Sequence, residues 1–173
     1  MGFLVETGAV VIGANSYVTV DYADGYHADH ANTGWPAGQP SVSQPLLIYA
    51  TQWIDEGYDW RGQVSTVDTN RLRWPRIGAL DDEARLISMT EIPTRLMYAV
   101  CELALVLVSY KINQTFSRGG YIHQLTAGGA GGSVTVQFEQ GAPPGKTWPI
   151  VNHFLAGLVW GSPVMGARRM VLA

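Results

Sequence analysis

Residues 92–111 read IPTRLMYAVCELALVLVSYK. Leu96, Val100, Leu103, Leu107 and Tyr110 recur at helical spacing, and Met97, Cys101, Ala104 and Val108 form a second stripe beside them. A helix that is apolar on two sides belongs inside a bundle, with other elements packed around it. Pro93 suits a first helical turn, where its missing N–H costs nothing, and Thr90 is the expected N-cap. The apolar run falls short of the roughly 20 residues that a membrane span needs. The rest of the chain is read as what packs on this helix.

Toward the N-terminus, Gly8–Ile12 reads as a strand or an extended arm, and Ser16–Val20 (SYVTV) as a short strand. A first helix is expected from about Thr19 to His30, with Asp21 and Asp24 early and His27 and His30 late, as the helix dipole favours. Asn32, Gly34 and Pro36 end it, and residues 32–45 form a loop. Ser43 is the expected cap of a second helix with Pro45 in its first turn; Leu46, Leu47, Ala50, Trp53 and Ile54 make its apolar face and Gly57 its C-terminal cap. That helix should lie against the central one.

Residues 58–78 concentrate Arg61, Arg71, Arg73 and Arg76 with Tyr58, Trp60 and Trp74, and are expected to form a long ordered loop turning near Gly78. Beyond the central helix, residues 121–125 and 133–138 (SVTVQF) alternate as strands and should pair as a hairpin across TAGGAGG. A short helix follows over about 147–158, with Ile150, Val151, Phe154 and Leu155 inward. The expected architecture is mainly α, about four helices around a central buried one, with a small β-hairpin at about 121–138. It makes a single domain over residues 1–160 followed by a tail, 161–173.

Of the 173 residues, 47% are apolar and 14% charged, and six are Trp. Charged residues ordinarily make up about 25% of a chain, so these side chains point to cover by neighbouring subunits. A net charge of −3 argues against a general polyanion binder. The single Cys101 cannot form an internal disulfide and reads as a small core residue. The start has no basic segment of a secretion signal, and Glu6 stands where a myristoylation site requires Ser or Thr. The expectation is a chain made and assembled in a reducing cytoplasm.

The Arg/Trp segment admits two readings. Single-strand binders combine a basic groove with aromatic platforms; alternatively Trp60 and Trp74 are core residues, and Arg61, Arg73 and Arg76 cap helix ends, anchor the loop or bridge subunits. The second is favoured, because the remaining chain is acidic. Glu102, a carboxylate on the central helix, needs a partner, and Arg73 or Arg76 is the expected one. Asp24, His27, Asp29 and His30 lie at spacings that a metal could use, but dipole complementation explains them, so neither metal nor cofactor is expected. There is no G-x-S-x-G and no Walker loop, and no catalytic role is expected. The tail carries Trp160, Val164, Met165, Arg168, Arg169, Met170, Val171 and Leu172 on a backbone without periodicity, a mixture that orders on a partner.

Several stretches together resemble the head–tail connector (adaptor) proteins of tailed bacteriophages, a family often labelled DnaT-like ssDNA-binding. They are Val5–Gly8, Gly13–Val18, Ala50 through Trp60-Arg61-Gly62, Leu72–Arg76, Ile92-Pro93 with Cys101–Ala104, and Ser133–Val136 followed by Pro149 and Leu155. Gly25 inside the first helix and the long glycine-rich hairpin tip depart from the pattern. The resemblance implies an α-helical adaptor subunit in the virion neck. Such subunits form a ring, usually of twelve copies, which docks its C-terminal segments into the portal protein and meets a tail-side terminator or connector protein. Double-stranded DNA passes through the lumen without sequence-specific contacts. The rival expectation is a single-strand DNA-binding replication accessory protein.

Overall fold

The computed structural model describes residues 2–65, 72–109 and 148–160, together with the backbone of 122–127 and 134–138. The chain divides into two compact units, Met1–Ile112 with Trp148–Val164, and Asn113–Thr147 with Met165–Ala173. The first holds helices α1 (Val20–Asp29), α2 (Pro40–Gly57), α3 (Thr94–Ser109) and α4 (Pro149–Leu155), with the two-residue strands β1 (Gln63–Val64) and β2 (Arg76–Ile77). The second holds β3 (Ile122–Ala127) and β4 (Val134–Phe138). The fold is mainly helical with a small hairpin, as the sequence pattern indicates.

Helix α3 is the central element. Leu96, Ala99, Val100, Cys101, Leu103, Ala104 and Leu107 are buried on it, and α2 and α4 both pack on it, with α1 touching α2 and α3. Fully burying one leucine is worth about 1.5–3 kcal/mol, so Leu96, Leu103 and Leu107 together contribute about 5–9 kcal/mol, as much as the net stability of a typical domain. The second stripe is less complete than its spacing suggests, because Val108 is 41% exposed. The helix also starts differently. The carbonyl of Pro93 accepts from Leu96 N at 2.9 Å and Met97 N at 3.2 Å, so Pro93 stands just before the helix. Thr90, the expected cap, is engaged with Ser88 instead.

Helix α1 runs as expected: Thr19 caps it by accepting from Tyr22 N, and His30 closes it. The strand expected over Ser16–Val20 is absent. Ser16 makes a single parallel bridge with Val5, and its hydroxyl closes a local loop with the backbone of Val18, which takes that backbone out of any ladder. Gly8–Ile12 is likewise no strand. The buried carboxylate of Glu6 gathers the amides of Gly8, Val10 and Val11 at 2.8–3.0 Å and wraps the segment around itself. Gly8 is required at this turn: its φ is +98°, and a Cβ would stand 2.1 Å from the carbonyl oxygen of Thr90.

Helix α2 begins at Pro40, not near Ser43. Proline takes the first helical position, Pro45 falls inside the helix, and the Ser43 hydroxyl donates to Pro36 O. On α4, Val151 and Leu155 point inward while Ile150, expected there, is 43% exposed. In the second unit β3 and β4 pair antiparallel, Leu125 opposite Val136 and Ala127 opposite Val134, with an irregularity between Ile122 and Gln124. Tyr110, Lys111, Arg71 and the tail residues beyond Trp160 lie outside the described residues. Among the described residues no helix is long and apolar enough to cross a membrane.

Candidate functional site

The Arg/Trp segment is organised by Asp55, in the last turn of α2. The Tyr17 hydroxyl donates to Asp55 Oδ1 at 2.7 Å, and Arg73 N donates to Oδ2 at 2.9 Å. Trp74 N donates in turn to the Tyr17 oxygen at 3.0 Å. The buried side chains of Tyr17 and Asp55 and the backbone amides of 73 and 74 thus form one relay that joins the N-terminal loop, α2 and the Trp74-Pro75 corner, whose peptide bond is cis. Burial pushes the Asp55 carboxyl up to about 6, against the opposing pull of the Tyr17 hydrogen bond, the Arg73 amide and the Arg73 and Arg76 charges. Desolvation and the neighbouring carboxylate likewise raise the Tyr17 phenol well above its usual value.

Arg76 is 7% exposed. Its guanidinium donates to Arg61 O and Gly62 O, both at 2.6 Å, to Arg73 O at 3.1 Å and to Trp60 O at 3.4 Å. A fork of five donors suits such a set of carbonyls, which a lysine could not span. Desolvation is the main influence that lowers its affinity for its proton. Gly62 sits under this fork at φ +71°, where a Cβ would meet Ile77 O at 2.6 Å. Trp74 is fully buried, and Trp60 (7% exposed) meets it edge to face at 5.9 Å. Neither indole is open to stack on a base.

Two groups of the segment do reach the surface. Arg61 lies over the ring of Trp160 at 4.9 Å, within cation–π range, and its Nε donates to Val159 O. Trp160 is 66% exposed. The backbones of 59–61 and 158–160 are tied by Arg61 N to Leu158 O, Trp160 N to Asp59 O and a bridge between Trp60 and Val159. Arg73 is exposed.

Glu102 is not the partner of Arg73 or Arg76. It accepts from the Tyr26 hydroxyl at 2.8 Å and ties α1 to α3, while Asp55 takes the role assigned to it beside Arg73. The reason is geometric: Tyr26 on α1 meets the Glu102 side of α3, and the arginine fork is saturated by backbone. Burial, followed by the bond to Glu102, raises the Tyr26 phenol far above its ordinary value.

The expected dipole histidines have separate structural tasks. His27 is 2% exposed, packs at a tilt against Trp35 with ring centres 4.5 Å apart and lies 3.1 Å from the Asn32 amide. His30 Nδ1 faces Tyr26 O at 2.7 Å, and Asp24 accepts from Trp35 Nε1 and Gly38 N. Among the described residues no three His, Cys, Asp or Glu are grouped to hold a metal. Burial pushes the Cys101 thiol far above its usual value, as fits a side chain packed in the core. Of the residues expected to matter, Arg61, Arg73, Trp74 and Arg76 come together at one corner with Trp160 at its edge. Glu102 lies apart from them, and Val164 to Leu172 fall outside the described residues. Sequence spacing alone does not point to Tyr17 or Asp55. Asp55 does occupy an inward position of α2, four residues after buried Thr51 and beside buried Ile54, and a carboxylate at such a position signals an internal partner.

The first unit is thus a small helical body whose charged corner serves its own backbone. A family model described as "Putative DnaT-like ssDNA binding protein" matches residues 1–172. The chain belongs to that family. No curated protein and no solved structure gives a match to it.

Proposed function

We propose that the chain is a structural adaptor of a tailed-phage virion, a subunit of the neck. Copies form a ring, twelve by the resemblance noted above, that joins the portal protein to a tail-side terminator or connector and continues the channel for double-stranded DNA. The ring is assembled in the host cytoplasm and performs no catalysis. The observation that carries this reading is the surface. Leu86 at 73%, Ile12 at 73%, Met89 at 57% and Ile77 at 48% exposure stand open on a chain only 14% charged. Open apolar side chains on so weakly charged a chain suit a subunit that neighbours cover. A net charge of −3 suits a passage that must not hold phosphates.

The test is native mass measurement of the purified chain with and without portal protein. A ring, alone or on the portal, is expected. A monomer that ignores the portal overturns the reading.

A second reading, a single-strand DNA-binding replication accessory, has the family's description and one contact in its favour, Arg61 over the exposed Trp160. It requires oligonucleotide binding that weakens steeply with salt and is lost in Trp160→Ala. Such binding by a chain that stays monomeric would replace the adaptor reading.

A further inference from the structure

Glu102 is half-buried on α3, and the Tyr26 hydroxyl donates to its Oε1 at 2.8 Å. Its Oε2 has no hydrogen bond or ion pair among the described residues. A run of aromatic rings from three helices continues from Tyr26. That ring stacks with His30 at 4.2 Å and packs against Tyr98 at 5.1 Å, and Tyr98 meets Phe154 edge to face at 5.6 Å. Tyr98 and Glu102 stand four residues apart on α3 and so project to one side of it. His30 is exposed, and Tyr98, Glu102 and Phe154 are half-buried, so the patch reaches the surface. A carboxylate partly out of water beside ring faces suits a guanidinium, whose fork bonds the oxygens while its plane lies on the rings.

Within one chain no arginine answers this carboxylate. Of the described arginines, Arg76 fills its fork with backbone carbonyls, and Arg61 lies over Trp160 and donates to Val159 O. Arg85 is paired with Asp81 and Glu83, and Arg95 with Asp82. Arg73 differs from them. Its amide donates to Asp55 and its carbonyl accepts from Arg76, which holds its backbone in place. Its exposed side chain makes no hydrogen bond, ion pair or ring contact among the described residues. The Asp55 oxygens close by are already taken by Tyr17 and the Arg73 amide. A guanidinium on so fixed a backbone is presented outward with less freedom to lose on binding.

We infer that Glu102 of one copy receives the Arg73 guanidinium of a second copy, beside the rings of Tyr26 and Tyr98. The pair that the sequence suggests inside one chain is thus made between two. The contact is heterologous, the carboxylate side of each copy meeting the arginine side of the next, the arrangement that closes into a ring. The inference rests on the ring reading above and adds the residues that join neighbours.

The experiment uses the full chain. Glu102→Gln removes the charge and keeps an oxygen for the Tyr26 hydroxyl, and Arg73→Gln alters a side chain without contacts in its own fold. Each is expected to raise the concentration at which the ring assembles about tenfold in native mass measurement, and the double variant to be no weaker than either single one. In Arg73→Lys, a zero-length carbodiimide is expected to give dimers on a denaturing gel whose cross-linked peptides join positions 73 and 102; adding Glu102→Gln should abolish that link. Losses that multiply in the double variant overturn the pair, because the two residues then act separately. A loss in only one single variant overturns it in favour of a different partner for that residue. Assembly unaffected by either substitution also overturns it and leaves the ring standing on other surfaces. Cross-linked assemblies that stop at two copies keep the pair and remove the ring. A chain that is monomeric with and without portal protein removes both.

Discussion

Tyr17 donates its phenolic proton to Asp55 across 2.7 Å, although the two lie in segments far apart in the chain and both are buried. Removing either partner leaves a buried group unpaired, which costs about 1–3 kcal/mol. Tyr17→Phe strands both an Asp55 oxygen and the Trp74 N–H, and Asp55→Asn forces donor against donor at either Tyr17 or Arg73. Each is expected to lower stability in chemical denaturation by that amount. Unchanged midpoints in both would show that the relay contributes nothing.

The same carboxyl gives the fold a signed dependence on pH. Its folded-state value of about 6 lies above the ordinary 3.8, so the folded chain holds the proton more tightly than the unfolded one. The stabilisation is full below 3.8 and is lost as pH rises through 6, on the order of 3 kcal/mol in all. Asp55→Asn lacks this term. The stability gap between wild type and Asp55→Asn is therefore expected to widen from pH 7 to pH 4. A gap that narrows over that range would contradict the burial argument.

His27 works in the opposite sense. Desolvation, its largest influence, lowers the imidazole below its usual 6.5 against an upward pull from Glu102. The neutral form is preferred in the fold, so this stabilisation is present above 6.5 and is lost as pH falls through the lowered value. The stability advantage of wild type over His27→Gln is expected to shrink between pH 7 and pH 5, measured by thermal unfolding at each pH. A constant advantage would mean that the ring is not buried as a neutral base.

Arg76→Lys is expected to cost about 2–3 kcal/mol, because a single ammonium cannot satisfy four carbonyls spread over residues 60–62 and 73. Removing the Arg61 side chain, which reaches the surface, should stay near the ~0.5 kcal/mol typical of surface changes. Equal losses in the two, read from urea midpoints, would deny the buried fork its role.

Trp74→Ala and Trp160→Ala separate packing from recognition. The first empties a fully buried site and is expected to cost about 3–5 kcal/mol. The second alters a residue 66% exposed and should leave the unfolding temperature almost unmoved, while changing whatever binds there. A large loss of stability in Trp160→Ala would place that indole in the core.

What was legible in the chain follows from the range of the forces involved. The first stripe of α3 through Leu107, the start of α1 near Thr19 and the alternation over residues 133–138 are local patterns with local causes, and each appears where the spacing puts it. Ser16–Val20 and Gly8–Ile12 have strand-like composition, yet side-chain oxygens of Ser16 and Glu6 claim their backbones first. Glu102 interrupts an apolar helix, and so the sequence offers it as the carboxylate beside the arginines. Asp55 had the same mark, an inward position on α2, but which acid meets which arginine depends on helix placement that no local pattern encodes. The packing role of Trp60 and Trp74 could be favoured from the acidity of the remaining chain, whereas the carbonyl-filled fork of Arg76 required the folded backbone.

Gly8 and Gly62 each let one backbone press on another where even a methyl group would collide, while a Cβ on Gly25 would meet nothing within 4 Å. Evolution should therefore treat them unequally. As the family diverges, the first two positions should stay frozen, whereas the third is free to drift toward alanine and a firmer first helix.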